Sequence, residues 1–422
     1  MSNVAPLQGY RVLDLAAGFS LYCTKLLADL GADVIRIEPP GGAAVRRAEP
    51  FAGDEAGDER SLQHLYFNTS KRAITLDLEQ EAGRDVFRRL AASADVVVEA
   101  FWPGHMASLG LGYEDLRAAN PHLIMTSITG FGQTGPHAGW QSNDLVALAA
   151  SGVLTLSGYV DRPPYRPYPE QAVYCAGIEG ANATLLALYE REFSGEGQWI
   201  DVSAQESLSM AQETAMQLWD FQKRARPRTG KEVEPGLGSL HECADGYVYG
   251  AFGLLIGRSA SISDLIRWMD EEGKAEDLVS DGVLASIEAA IAEARSAGRL
   301  GLAADPALLA RIAPVLKRFL KTKTKEEVYV HGQHLGFFVA AVNDPSDLAE
   351  SEQIRQQEWF FSLDHPELGM EVKFPGPPYR FAASPAGPFS AAPRLGQHTT
   401  AVLAEAGLSA TEVAGLKSAG VI

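Results

Sequence analysis

Basic side chains gather near the ends of the first apolar runs of this chain. Arg36 lies within one such run, and Arg46 and Arg47 follow the turn-forming string Glu38-Pro39-Pro40-Gly41-Gly42. Lys71 and Arg72 follow Asn68-Thr69-Ser70 and lead into another apolar run. Guanidinium forks and compact ammonium groups both suit phosphate oxygens, and open parallel sheets bind ligands at their strand ends. Arg36, Arg46, Lys71 and Arg72 are therefore the candidate phosphate partners of a small anionic ligand. A second run, Gly130-Phe131-Gly132-Gln133-Thr134-Gly135-Pro136, sets three glycines close together before a proline. It predicts a sharp loop that needs unusual dihedrals or a close backbone approach, the kind that holds a ligand or another chain.

Other chemistries lack their residues. Among nine histidines there is no HExxH, and the single HxxH, His331-Gly332-Gln333-His334, contains a glycine that weakens a helical metal face, so no metal site is expected. No GxSxG elbow occurs. The string 14–20, Asp-Leu-Ala-Ala-Gly-Phe-Ser, is neither GxGxxG nor a phosphate-cradling P-loop. Cys23, Cys175 and Cys243 stand far apart and imply neither disulfides nor a zinc site.

The elements that must position these groups read as strand–helix–strand units. Residues 11–15, 33–38, 73–76, 95–99 and 123–129 are apolar runs of strand length. Helical periodicity fills 21–30, 81–92 and 113–118 between them. Continuous Val/Ile runs fit parallel strands covered on both faces, so the first part of the chain reads as a doubly wound α/β domain. A long helix over 179–193, a strand over 198–202 and a helix over 204–218 continue it. The pattern breaks at 224–238 into Arg, Pro, Gly and Glu, which marks a domain boundary. A hairpin over 241–250 and helices over 262–270, 283–295, 306–319 and 324–331 then form a smaller α+β domain.

With 422 residues the chain is long enough for two domains. Its 36 basic and 54 acidic residues give a net charge of −18, which argues against nucleic acid as a partner. The first nine residues lack the basic and apolar regions of a signal peptide, and no apolar run reaches membrane-spanning length. The expectation is a cytoplasmic protein with no membrane association.

Longer strings resemble a known family. Residues 27–42 (LADLGADVIRIEPPGG), 68–78 (NTSKRAITLDL), 96–136, 194–203 (SGEGQWIDVS), 244–246, 365–369 and 392–398 are similar to the signature segments of the class III CoA-transferases. The resemblance covers almost the whole chain. It implies a Rossmann-like large domain (1–224), a small α+β domain (225–330), and a connecting segment with a C-terminal return to the large domain (331–422). It also implies an interlocked dimer. The family moves coenzyme A between an acyl-CoA and an organic acid, using one aspartate as nucleophile.

Against the family pattern Asp-x-x-(Ala/Thr)-Gly, this chain reads Val173-Tyr174-Cys175-Ala176-Gly177, so Val173 holds the nucleophile position. Glu170 and Glu179 are the nearby carboxylates, three residues before it and six after it. Ala100 and Ser108 stand where the family has a CoA-contacting Asn and Arg. The resemblance therefore implies a chain with no catalytic residue of its own. It would be the non-catalytic subunit of a heteromeric member, such as those of the succinyl-CoA:benzylsuccinate type, beside a paralogous subunit that carries the aspartate. A self-sufficient transferase or acyl-CoA racemase with displaced groups, and a structural or regulatory protein without turnover, are the alternatives.

Overall fold

The computed structural model describes residues 4–422 except 169, 213, 229, 231, 235–237, 253–259, 299–305 and 367. Glu367 of the 365–369 segment and parts of the 224–238 boundary thus lie outside the described residues. The chain forms two compact units, one of residues 1–155, 165–226 and 355–422, the other of 156–164 and 227–354.

The first unit is built on a six-stranded parallel sheet. Its strands are β1 (Arg11–Leu15), β2 (Asp33–Glu38), β3 (Arg72–Thr75), β4 (Val96–Glu99), β5 (Ile124–Thr129) and β6 (Trp199–Ser203), in the order β3-β2-β1-β4-β5-β6. All five pairings are parallel, in register pairs such as Leu13↔Ile35, Leu13↔Val97 and Ser127↔Asp201. β1, β2, β4 and β5 are almost wholly buried, which explains their unbroken apolar runs. One face packs Val12, Val34, Val96 and Val98 against the helices Leu21–Asp29 and Gln171–Ser194. The other packs Leu13, Ile35, Ile74 and Val97 against Glu81–Ala91 and the C-terminal helices.

Residues 355–422 complete this unit. The two-stranded ribbon Phe360–His365/Met370–Pro375 belongs to it. Beyond the ribbon the chain meets the open edge of β3: the Ala73 amide donates to His398 Nδ1 at 3.1 Å, the His398 amide to the Ala73 carbonyl at 2.8 Å, and the Asp77 amide to the Val421 carbonyl at 2.8 Å.

Two helices differ from the sequence expectation. The long helix runs Gln171–Ser194, starting eight residues before the expected 179. The helix expected over 204–218 divides into Ala204–Ser209, a short 3-10 turn, and Thr214–Gln222.

The second unit has an antiparallel sheet whose strands Phe338–Ala341, Tyr247–Ala251, Gly238–Glu242 and Glu232–Glu234 adjoin in that order. Phe338–Ala341 pairs with Tyr247–Ala251, so the segment as far as 354 stays with this unit. Its core joins Val248, Phe252 and Val339 to the helices through Leu265, Trp268, Ile287 and Phe319.

Candidate functional site

The strand order reverses direction between β1 and β4, which makes the carboxyl ends of these strands the expected ligand crevice. The long helix Gln171–Ser194 begins beside it. This helix lies close to Leu21–Asp29, because a Cβ on Gly177 would stand 2.7 Å from the Tyr22 Cβ and Gly180 faces the Ile128 side chain just as closely. The close approach seats Val173 in an apolar cluster with Ala16, Leu21, Val45 and Phe67. Tyr22, Tyr66 and Tyr174 close round it, the Tyr22 and Tyr174 rings meeting edge to face at 4.8 Å. Val173 is 4% exposed. A branched alkyl group in that cluster offers neither a nucleophile nor a base.

The carboxylates nearby are placed differently. Glu170 caps the helix start in a left-handed conformation (φ 73°) and makes no capping hydrogen bond. Its partial burial and the charge of Asp144 raise its pKa. Asp144 accepts the Ala172 amide at 2.9 Å and pairs with Arg166 at 3.0 Å, tying the start of the long helix to the preceding segment. Ala100 follows the end of β4, and the Ser108 hydroxyl is turned to the His105 carbonyl at 2.7 Å.

The four candidate cations fall into separate ion-pair groups. Arg36 and Lys71 meet on buried Asp14, at 3.0 and 2.8 Å. Lys71 donates as well to Thr24 Oγ1 and Asn68 Oδ1. Burial disfavours the Asp14 charge, but Lys71 and Arg36 beside it hold its carboxyl down to about 2. Burial in turn lowers Lys71 to about 8 despite Asp14. Arg46 forks onto Glu38 at 2.8 and 2.7 Å and reaches Glu59 at 2.8 Å.

Beside Arg46, His64 accepts a hydrogen bond at Nδ1 from the Asn68 amide group, which fits Nε2–H donation to the Pro393 carbonyl. Burial, with Arg46 close by, brings His64 down to about 3, so the ring is neutral. Arg72, on the sheet's edge, forks onto Asp33 at 2.8 and 2.7 Å and pairs with Glu405 at 2.7 Å. Arg36, Arg46 and Lys71 are at most 3% exposed. Every candidate cation therefore has a carboxylate of its own chain. Lys71 and Arg72 also border a cavity of about 650 Å³ with Arg394 and His398.

The glycine loop lies at the end of β5. Gly132 and Gly135 have φ of 82° and 90°, which side chains adopt only under strain. Gly130 has no room for a Cβ beside Ser142. The Gln133 amide donates to both Asp201 oxygens, at 3.0 and 2.9 Å, and ties the loop to β6.

One pocket was not anticipated from the sequence. Glu99, Trp102, Tyr113, Ser127, Gln133 and Trp199 line a cavity of about 280 Å³ beside β4, β5 and β6, between Glu99 at the end of β4 and Trp199 at the start of β6. A signal was present: Glu99 closes a buried apolar run, and a carboxylate there is costly unless it serves some purpose. Among the described residues no three His, Cys, Asp or Glu side chains are placed to hold a metal ion, and no helix is long and apolar enough to cross a membrane.

A doubly wound parallel sheet that the C-terminal segment completes, with a smaller unit inserted, is the architecture of one class of acyl-CoA enzymes. The chain belongs to CoA-transferase family III, whose family model matches residues 7–399. It is 36% identical over 414 residues to the succinyl-CoA:(R)-benzylsuccinate CoA-transferase subunit BbsE of Thauera aromatica, covering 98% of this chain and 97% of that protein. It is 29% identical over 426 residues to the succinyl-CoA–L-malate CoA-transferase beta subunit of Chloroflexus aurantiacus, covering 100% and 99%. The crystal structure of a CAIB/BAIF family protein from Brucella suis superposes with a TM-score of 0.81 at 27% identity, covering 96% of this chain and all of that one.

Proposed function

We propose that this chain is the non-catalytic subunit of a heteromeric CoA-transferase. The complex would move CoA from a thioester such as succinyl-CoA to an organic acid, and a paralogous subunit would supply the aspartate. The observation that carries this reading is Val173, buried among apolar and aromatic side chains where the family resemblance sets the nucleophile. Two relatives of nearly equal length are named as subunits of succinyl-CoA-dependent transferases, which supports a multi-chain assembly.

Exposed apolar side chains support it too. Leu186, Tyr189 and Phe193 stand on one side of the long helix, and Trp219 and Phe221 on Thr214–Gln222, all more than half exposed. Apolar surface of this kind marks a protein interface.

In the complex, the partner's aspartate attacks the thioester carbonyl. A mixed anhydride forms and CoA leaves as thiolate. The thiolate then attacks the aspartyl carbonyl, releasing the first acid as carboxylate and leaving an aspartyl–CoA thioester. The acceptor acid runs the two steps in reverse, and atoms and charge balance throughout. This chain's part is to hold the assembly, with the Asp14–Arg36–Lys71 and Glu38–Arg46 pairs fixing the strand ends against which CoA would lie.

A second reading, in which Glu170 is the nucleophile, draws on its partial burial, its raised pKa and its place at the start of the long helix without a capping hydrogen bond. One experiment separates the two. The chain is purified alone and with a co-expressed paralogue, then treated with succinyl-CoA and hydroxylamine, and the peptides are weighed. The proposal expects a hydroxamate on the paralogue's aspartate only, and no transfer by this chain alone. A hydroxamate at Glu170 with transfer by the homomer would establish the second reading.

A further inference from the structure

The cavity of about 650 Å³ at the start of β3 has no part in the thioester chemistry above. It lies wholly within the first unit, among the start of β3, the turn of the two-stranded ribbon and the segment 390–398. None of its lining residues belongs to the cluster round Val173. Its volume falls within the usual range of about 300–1,000 Å³ for ligand sites.

The charge of this cavity runs against that of the chain. The protein carries a net charge of −18, yet among the described residues the lining holds Lys71, Arg72 and Arg394 and no aspartate or glutamate. Lys71 commits its three donors to Asp14, Thr24 and Asn68, and Arg72 is forked onto Asp33 and Glu405. Arg394 differs. It is exposed, and its guanidinium has no ion pair or hydrogen bond among the described residues. Its backbone is anchored all the same: the Arg394 amide donates to Gln397 Oε1 and the Leu395 amide to Glu59, both at 2.9 Å, and the Pro393 carbonyl accepts from Arg46 at 3.2 Å. An unpaired guanidinium on a fixed loop is a preorganised partner for an oxyanion.

The remaining polar groups are donors too. His398 accepts the Ala73 amide at Nδ1, and burial, with Arg72 close by, disfavours a second proton on the ring. The hydrogen of the neutral ring is therefore on Nε2, and the described hydrogen bonds hold no acceptor for it. Gln397 has its oxygen on the Arg394 amide, which leaves its NH2 group to donate. Ser70 Oγ accepts the Ser390 amide at 3.4 Å and keeps its O–H. Pro366, Ala391, Ala392 and Pro393 supply the apolar part of the lining. The structure assigns to this cavity a small organic anion, one carboxylate or phosphate group on a short apolar body. Arg394 forks onto the oxyanion, His398, Gln397 and Ser70 donate to its other oxygens, and the proline and alanine side chains cover the body. The assignment does not rest on the CoA-transferase reading.

The test is calorimetric titration of the intact chain with phenyl phosphate, phenylacetate and inorganic phosphate at matched ionic strength. Saturable binding of phenyl phosphate or phenylacetate at one site per chain is the expected result, and the tighter of the two names the head group. Arg394→Gln should weaken it about tenfold or more, and Arg394→Lys, which keeps the charge and loses the fork, should recover only part of that loss. Arg394 has no side-chain partner in the fold, so the melting temperature of these variants without ligand should match that of the native chain. Ala391→Leu, at a half-buried lining position, narrows the cavity without a change of charge and should weaken binding as well.

The proposal is overturned if neither phenyl phosphate nor phenylacetate binds, or if Arg394→Gln and Ala391→Leu bind them as the native chain does. Inorganic phosphate binding as tightly as phenyl phosphate would overturn the apolar half of the seat, and with it the class of ligand. A final titration is made with CoA present. Binding that CoA leaves unchanged is expected; displacement by CoA would place the anion at the strand-end crevice instead and overturn the assignment while leaving the transferase reading intact.

Discussion

Replacing Val173 by Asp restores the residue type that the family uses as nucleophile, and the structure sets what this should cost. The side chain would enter a cluster of Ala16, Leu21, Val45 and Phe67, ringed by tyrosines. Lys25, over the Tyr66 ring at 4.7 Å, is already committed to Asp29 at 2.8 Å. Desolvation without a counter-ion raises a buried carboxyl by about 3 pH units or more, from an ordinary value near 3.9 to about 7. At 1.36 kcal/mol per unit this is about 4 kcal/mol lost once the group is forced to ionise.

The sign follows from linkage. Below about pH 4 both folded and unfolded chains are protonated at this position, so the charge costs nothing there. As pH rises toward 7 only the unfolded chain releases its proton, so stability falls and then levels off. Urea denaturation of Val173→Asp and Val173→Asn at pH 5, 6, 7 and 8 isolates the charge, since Asn carries the polarity without the titration. We expect the two variants to diverge by about 2–3 kcal/mol between pH 5 and 8, a further loss of about 1.5 kcal/mol having set in below pH 5. Equal stability of the two across that range, or a Val173→Asp variant that grows more stable with pH, would refute the argument and show a site built to hold a carboxylate.

Other consequences are open to measurement. Lys71→Met leaves Asp14 with Arg36 alone and should cost about 3–5 kcal/mol in denaturant unfolding, while the double variant Asp14→Asn/Lys71→Met should cost clearly less than the sum of the two single changes. His64, held at about 3 in the folded chain, resists a proton that the unfolded chain takes up near 6.5, so it removes stability as pH falls through that interval. At pH 5 this amounts to about 2 kcal/mol, and His64→Gln should flatten the acid limb of a stability–pH curve. Gly132→Val forces a β-branched residue to φ 82° and should lower the melting temperature by several degrees, about 1–3 kcal/mol of strain; an unchanged melting curve would show that the loop relaxes freely.

The strands of the large sheet were legible because burial on both faces leaves little but Val, Ile and Leu in β1, β2, β4 and β5. The start of the long helix was not, since Gly177 and Gly180 interrupt its pattern and only the packing on Tyr22 and Ile128 explains them. Strand Phe338–Ala341 was hidden because its pairing partner lies about ninety positions earlier in the chain. The basic residues were visible as charges, but their carboxylates were not. Arg36 and Lys71 find Asp14 across 22 and 57 positions of sequence, and Arg72 finds Glu405 across 333. Spacing along the chain says nothing about pairs made by parallel strands and a returning C-terminus.

The edge of β3 is closed by residues near 398 and 421, which leave a ribosome more than three hundred residues after β3 does. Throughout synthesis the sheet therefore carries an open parallel edge, a template for stray pairing, and the whole second unit is made before that edge can be covered. At translation speeds of about 5–20 residues per second, the delay from Thr75 to Val421 is about 17–70 seconds. A nonsense change between codons 376 and 398 would release a protein whose β3 edge had never been covered, and the phenotype to look for is aggregation rather than a stable, inactive remnant.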